Sequence, residues 1–379
     1  MKVLQTISGM GINSGGPTTC TYILVKGLIE AGVNVKILTF ESDAHDSLIS
    51  NEELIETIKK PLEGRFGYST RFKNTLQKYS DMDIIHTNGL WQYPSHRSAV
   101  FSFKNKIPFV FSTHGMLNPE AMKNSAFIKN IAMRIFQKKD LQRAKVIHAT
   151  CKQEMAFIRA LGFTNPIAII PNAIDIKIPS KKTDKSIKKK QVGFIGRFDP
   201  IKNLEILFEA WSKSGKNNPE WELVLIGDGD NIYKKSLIQL ANKLEIKNIR
   251  FTGFLSGEEK EIALQNLNYL VLPSKSENFG MVVSEALIRE VPVIASKGTP
   301  WEELNTCNAG WWIDLGVEPL KKALINAIQT PKIEMEQMGK NGRKLIEKKY
   351  SMEAVASQML ELYQWILTKE NKPNFVETT

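Results

Sequence analysis

The sequence predicts an α/β protein made of two doubly wound parallel-sheet domains. Short apolar strand-like runs alternate with longer helix-like runs along nearly the whole chain, as parallel sheets with crossover helices require. A polar, aperiodic, lysine-rich stretch, Pro179-Ser-Lys-Lys-Thr-Asp-Lys-Ser-Ile-Lys-Lys-Lys190, divides that alternation into two halves and reads as an exposed linker. The chain has 379 residues, 42% of them hydrophobic, which suits two packed cores of ordinary size.

The strand-like runs of the first half are Val3–Ile7, Val35–Phe40, Ile84–His86, Phe109–Ser112, Val146–Ala149 and Ala168–Ile170. Pro17–Ala31, Phe127–Gln142 and Lys152–Leu161 carry helical patterning between them. The opening Met1-Lys-Val-Leu-Gln-Thr-Ile reads as the start of a strand, not as a signal peptide. The second half repeats the pattern with Val192–Ile195, Leu223–Ile226, Ile249–Thr252, Tyr269–Leu272 and Val293–Ala295. The stretch from Ser351 is an amphipathic helix that Ser351 can cap, and the residues from Lys369 read as frayed. The expected division is a first domain over 1–175, a linker over 176–190, a second domain over 191–350, and a C-terminal helical segment over 351–379.

Composition narrows the function classes. No apolar run reaches membrane-spanning length. Cys20, Cys151 and Cys307 lie far apart with no Cys-x-x-Cys, which argues against a disulfide framework or a zinc site and fits a reducing cytosol. The net charge of +11 would attract nucleic acid, but no groove-reading or base-stacking module accompanies it, so no nucleic-acid partner is expected.

Glu277 and Glu285 stand eight residues apart in Ser274-Lys-Ser-Glu277-Asn-Phe-Gly280-Met-Val-Val-Ser-Glu285. An apolar strand precedes this segment and a helix-like stretch over roughly 279–289 follows it. Such a turn lies at the carboxyl end of a parallel strand, where open α/β sheets bind ligands, and a helix N-terminus suits phosphate. Glu277 falls before the helix and Glu285 about one and a half turns inside it, roughly 7 Å along the axis. One carboxylate can hold hydroxyls on each side of a diphosphate, the layout of a nucleotide sugar. The plain alternative is two solvated acids where Glu favours a helix start. A second strand, turn and helix, Gln191-Val-Gly-Phe-Ile-Gly196-Arg197-Phe-Asp-Pro200-Ile-Lys202-Asn203, places Arg197 and Lys202 at the same topological position. A guanidinium fork and an ammonium can neutralise a diphosphate leaving group without a metal.

Gly196-Arg197-x-x-x-x-Lys202-Asn203, Gly227-Asp228-Gly229 and Glu277-x7-Glu285, in that order, resemble the nucleotide-sugar half of retaining glycosyltransferase family 4, the group 1 glycosyltransferases. Ile170-Pro171-Asn172-Ala173-Ile174-Asp175 before the linker is also similar, with Ala173 where the family pattern has Gly. The resemblance implies the GT-B fold, two Rossmann-like domains facing a cleft, and metal-independent transfer with retention. It implies that Glu277 contacts the donor sugar, Glu285 the ribose, and Arg197 and Lys202 the diphosphate, with Asn278, Phe279, Gly280 and Met281 against the donor. It also implies that the C-terminal helix returns to pack on the first domain. A front-face displacement is expected, because no residue is placed as a covalent nucleophile. No cofactor is called for beyond the nucleotide-diphosphate sugar as co-substrate.

The first domain is expected to hold the acceptor. In its opening loop, Gly15 and Gly16 permit close backbone approach and Pro17 suits a first helical position; the resemblance sets this loop over the donor diphosphate and transferred sugar. A dinucleotide-binding reading of Gly9-x-Gly11, with Glu41 as the ribose acid, fails on the length of the turn and a displaced third glycine. His114-Gly115 follows a strand, where His114 is suited to donate a hydrogen bond or charge near a reacting sugar, or is a loop histidine satisfied by backbone. His86, Asn88 and Trp91 are candidate acceptor residues, with packing the plainer role for Trp91. Asp81-Met-Asp83 precedes its strand, on the wrong sheet edge for the site. Asp228-Gly-Asp230 follows one but matches a turn pattern, so no metal is expected.

Between Met122 and Lys145, seven basic residues face one acid, and Ile128, Ile131 and Ile135 keep helical spacing. Such a helix either meets an anionic membrane surface or packs its apolar side on the first domain. The functional expectation is a hexose transfer from a nucleotide-diphosphate sugar to a sugar hydroxyl on a lipid-linked oligosaccharide or glycan. The enzyme would be cytoplasmic, either soluble or peripheral on the inner face of the cytoplasmic membrane. A nucleotide-sugar epimerase of the same fold and a non-catalytic nucleotide-sugar sensor remain as alternatives.

Overall fold

The computed structural model describes residues 1–11, 16–42, 47–49, 53–60, 66–176, 189–216 and 218–378. It divides into two compact units, Met1–Asp175 with Tyr350–Thr379, and Ile176–Lys349. Most of the expected linker, residues 177–188, lies outside the described residues; β8 already begins at Lys190, inside that stretch.

The first unit carries β1 (Lys2–Ile7), β2 (Asn34–Phe40), β3 (Ile55–Ile58), β4 (Ile84–Asn88), β5 (Phe109–Ser112), β6 (Val146–Ala149) and β7 (Ile167–Ile169). They pair in parallel in the order β3-β2-β1-β4-β5-β6-β7. The second unit carries β8 (Lys190–Ile195), β9 (Trp221–Ile226), β10 (Ile249–Gly253), β11 (Tyr269–Leu272), β12 (Val293–Ser296) and β13 (Gly310–Ile313), in the order β10-β9-β8-β11-β12-β13, again all parallel. In each sheet the chain winds one way from the first strand and then the other. The switch points lie between β1 and β4 and between β8 and β11, and ligands bind outside the carboxyl ends of such strands. The central strands are continuous apolar runs because helices cover both faces; β4, β5, β6, β11 and β12 are buried at every residue.

β3 and β13 were not expected from the sequence. Each is four residues long at a sheet edge and only partly buried, so neither shows a strong apolar run. The C-terminal helix spans Met352–Thr368 and lies on helix Gly16–Glu30, where Gly27 leaves no room for a side chain: a Cβ there would come within 2.8 Å of Ala356 Cβ and Met352 Cγ. The tail beyond Lys369 is not frayed. It forms β14 (Val376–Glu377), antiparallel to β7, with Val376 buried. The ladder bonds and this buried side chain hold a terminus that composition alone suggests is loose.

The basic stretch is not one uniform helix. It runs as Ala126–Ala132, a π turn at Met133–Gln137, and Lys138–Arg143. Its inner side is anchored: Leu141 and Asp140 are buried, His96 Nδ1 and Asp140 Oδ2 lie 2.7 Å apart, and Trp91 N donates to Gln137 Oε1 at 2.8 Å. Its outer side leaves Phe127, Ile128 and Ile135 exposed at 77%, 65% and 73%. The apolar side chains at those positions therefore do not pack on the first unit.

Candidate functional site

In the second unit the turns after β8 and β11, the two strands flanking its switch point, are stitched together. Asp199 caps the single helical turn Pro200–Lys202 by accepting from Ile201 N at 3.0 Å. Lys275 N donates to Ile201 O at 2.8 Å, and Asn203 Nδ2 reaches Pro273 O at 3.4 Å. The turn after β9 closes against the same place, because Gly227, at φ 142°, sits where a Cβ would be 1.9 Å from Gly196 O. Only glycine permits that approach.

This framework brings Lys202 and Glu277 together. Lys202 Nζ donates to Glu277 Oε1 at 2.5 Å, and Ser274 Oγ donates to the same oxygen at 2.7 Å. Their side chains are 21% and 13% exposed, so the pair is largely shielded but still open to solvent on one side. Arg197 differs: its side chain is 76% exposed, 3.4 Å from Asp199 Oδ2. Lys202 is thus an embedded cation and Arg197 an exposed one, beside Asp199, on the same turn.

The following helix is Met281–Leu287, shorter than the expected stretch, because Gly280 at φ 78° breaks the helical run just before it. Glu285 stands about one turn inside. Its carboxylate meets Lys260 Nζ at 2.9 and 2.7 Å. Lys260 carried no sequence signal; it comes from helix Gly257–Gln265, and only the fold brings it to Glu285. The Phe279 side chain is buried against Trp301 at a ring separation of 5.0 Å, and Trp301 Nε1 donates to Phe279 O at 2.5 Å. Phe279 therefore braces the turn from behind. Its ring is buried against Trp301, and the chain at Phe279 is held by the bond from Trp301 Nε1 to its carbonyl.

The Asp-x-Asp carboxylates have local partners. Asp228 accepts from Lys234 Nζ at 3.0 and 3.1 Å, and this bond, followed by one from the Gly229 amide, lowers its carboxyl below the usual range. Asp230 caps helix Asn231–Lys243 by accepting from the Ile232 and Tyr233 amides at 2.9 and 3.1 Å. In the other pair, Asp81 binds Lys2 Nζ and Asp83 the Lys2 amide, both at 2.7 Å, where β1 begins. Among the described residues no group of three or more His, Cys, Asp or Glu is positioned to hold a metal ion.

In the first unit His114 follows β5 with φ 47°, a conformation uncommon outside glycine. Glu154 braces this strained turn. Buried itself, it accepts from Thr113 Oγ1 at 2.5 Å, Thr150 N at 2.7 Å, Thr150 Oγ1 at 2.8 Å, and the Gly115 amide. His114 Nε2 lies 2.9 Å from Asn88 Oδ1. Enclosure, and secondarily His148, push its imidazole down to about 3. That corrects the expected donated charge: with burial and the neighbouring His148 both disfavouring the charged form, the ring is neutral at physiological pH.

The acceptor expectations change too. His86 is fully buried, with Nδ1 2.6 Å from Tyr363 Oη and Nε2 2.6 Å from Ser112 Oγ, so neither ring nitrogen is available to a substrate. Asn88 is buried and holds His114. Trp91, at φ 71°, packs against the core under Lys129, 6.0 Å from the ring. Gly16 begins helix Gly16–Glu30 with open space around it, and Gly15 lies outside the described residues.

Comparison with known proteins identifies the family and the fold. Residues 14–178 match the family described as Glycosyltransferase Family 4, and residues 175–345 match Glycosyl transferases group 1. The D-inositol 3-phosphate glycosyltransferase of Corynebacterium glutamicum (strain R) is 23% identical over 371 residues, covering 91% of this chain and 85% of that protein. A crystal structure of Anabaena Alr3699/HepE in complex with UDP and glucose superposes with a TM-score of 0.74 at 20% identity, covering 96% of this chain and 99% of that one. WaaG, a glycosyltransferase involved in lipopolysaccharide biosynthesis, gives 0.68 at 14% identity, covering 95% and 99%. The two halves of the chain together carry both family signatures on a GT-B fold, and the chain belongs to the group 1 glycosyltransferases.

Proposed function

We propose that this glycosyltransferase moves a hexose, with retention and without a metal, from a nucleotide-diphosphate sugar to a sugar hydroxyl of a lipid-linked glycan. The observation that carries this reading is the Lys202–Glu277 pair at the switch point of the second unit, with Glu277 eight residues before Glu285 on the following helix. Glu277 holds hydroxyls of the donor sugar and Glu285 those of the ribose. Lys202 and Arg197 take the diphosphate, and its charge grows as the glycosidic bond breaks, so they stabilise the transition state more than the ground state. The turn through Asn278, Gly280 and Met281 supplies backbone close to the donor. The neutral His114 accepts a hydrogen bond from a sugar hydroxyl. With Asp228 and Asp230 held by Lys234 and a helix end, the two cations do the work a metal would do.

The exposed Phe127, Ile128 and Ile135, flanked by Arg134, Lys138 and Lys139, lie against an anionic membrane on its inner, cytoplasmic face, where a lipid-linked acceptor would be presented. None of the described helices is long and apolar enough to cross it. The glycolipid context of the WaaG neighbour and the UDP and glucose held by the Anabaena neighbour support starting with UDP-hexoses and lipid-diphosphate sugars. The test is a donor panel with such an acceptor, read by mass spectrometry. A hexosylated acceptor is expected; an isomerised nucleotide sugar formed without acceptor would indicate an epimerase, and binding without turnover a sensor.

A further inference from the structure

The first unit contains a chain of buried polar side chains that ends at His114. His148 Nε2 lies 2.8 Å from Ile170 O. A carbonyl only accepts, so Nε2 carries the hydrogen. Burial lowers the pKa of His148 and holds the ring neutral, so its Nδ1 must accept, and the donor is Ser112 Oγ at 2.6 Å. Ser112 Oγ then has no hydrogen left for His86 and accepts from His86 Nε2 at 2.6 Å. His86, also kept neutral by burial, therefore accepts at Nδ1 from Tyr363 Oη at 2.6 Å. Tyr363 in turn accepts from Gln5 Nε2 at 3.0 Å. That orientation points Gln5 Oε1 at Asn88 Nδ2, 2.8 Å away, and Asn88 Oδ1 at His114 Nε2, 2.9 Å away. The bonds step across the neighbouring strands β1, β4, β5 and β6, directly between Ser112 and His148 and diagonally between His86 and Ser112 and between Gln5 and Asn88, and every one is oriented by the Ile170 carbonyl at the far end.

We propose that this relay fixes His114 as the Nε2–H tautomer, presenting the bare Nδ1 lone pair as a hydrogen-bond acceptor for a ligand hydroxyl. Among the described residues nothing hydrogen-bonds to Nδ1. Gln5, Asn88, His86, Ser112, His148 and Tyr363 are positioning residues; His114 alone meets the ligand. That the ligand is a sugar rests on the function proposed above, whereas the tautomer does not. The device selects an alcohol over a carbonyl or a carboxylate at this position, since only a donor satisfies a bare lone pair.

The test is long-range nitrogen–proton NMR of the full chain with labelled histidine, which distinguishes protonated from bare ring nitrogens. The chain has five histidines, so single His→Gln variants assign them. The expected wild-type result near neutral pH is one neutral form, protonated at Nε2, for His114, His86 and His148. Gln5→Leu cuts the relay in mid-course with a similar volume. Asn88 can then turn over, and His114 should become a mixture of both tautomers, with a rise of about tenfold in donor KM as one well-oriented hydrogen bond is lost. Thr6→Val, which breaks the neighbouring buried Thr6–Thr87 bond outside the relay, is the control for general disturbance and should leave the His114 signature unchanged. A wild-type His114 protonated at Nδ1, or a Gln5→Leu chain with an unchanged single tautomer, overturns the relay. If the tautomers behave as stated but His114→Ala transfers normally, the relay stands and only the sugar contact falls.

Discussion

Lys202 and Glu277 can be tested against each other in a double-mutant cycle with Lys202→Met, Glu277→Gln and both together. Without donor, the structure predicts real but moderate coupling. At 2.5 Å, with side chains 21% and 13% exposed, the pair lies between the surface and buried limits. Exposed pairs contribute about 0–1 kcal/mol, and breaking fully buried ones costs about 3–5 kcal/mol. The coupling here should be about 1–2 kcal/mol, read from chemical denaturation of the full chain. Each single change should lower the melting temperature by roughly 2–8 °C for a unit of this size. Transfer is an independent readout. Each residue is proposed to make a charge-assisted bond to the donor worth about 1.5–3 kcal/mol, so kcat/KM should fall about 10–150-fold in either single variant. Coupling indistinguishable from zero together with normal transfer would refute both the pair and its assigned task.

Arg197→Ala should lower kcat about tenfold or more with little change in stability, since its exposed side chain supports no core, and excess EDTA should leave wild-type rates unchanged; loss of activity restored by manganese or magnesium would reinstate Asp228 and Asp230 as ligands. The chain should sediment with anionic vesicles more than with neutral ones, and less as salt rises; Lys138→Glu with Lys139→Glu, or Phe127→Ser with Ile135→Ser, should weaken this, and equal sedimentation of all forms refutes the membrane contact. Arg143 is a poor choice there, because it stacks on Phe103 at 4.1 Å. The depressed pKa of His114, about 3 against an ordinary 6.5, means the unfolded chain binds more protons between those values. Stability therefore rises with pH across that window and is lost on acidification, by up to about 1.4 kcal/mol per pH unit for each such histidine; His86 and His148 act in the same direction. Denaturation midpoints that do not fall between pH 7.5 and 5.5, and a kcat profile with a His114 titration near neutrality, would contradict that.

The placement of the candidate site in the fold was legible because its signals are local. The turns after β8 and β11 follow apolar runs directly, and alternation alone locates them at the carboxyl ends of parallel strands. The Lys202–Glu277 contact was not legible, because it needs the order β8-β11, which no local pattern encodes. Lys260 was missed for the same reason: nothing in Gly257–Gln265 announces a carboxylate on another helix. His86 was misassigned because a strand-end histidine looks alike whether it faces solvent or a buried tyrosine from a helix 277 residues away. Strand β14 escaped because two residues cannot show a period. The basic stretch could be recognised as amphipathic, but a stripe does not name its partner; the exposure of Phe127 and Ile135 shows only that their side chains do not pack on the first unit.

The most direct test of the central claim is a titration, with chelator present, of the nucleotide sugar chosen by the panel and of its parent nucleoside diphosphate. The account predicts that Glu285→Ala weakens both ligands equally, because it holds the ribose they share. Glu277→Ala should weaken the nucleotide sugar by about tenfold or more and leave the nucleoside diphosphate within about threefold of wild type. The reverse split, or unchanged affinity for both ligands in both variants, would contradict it.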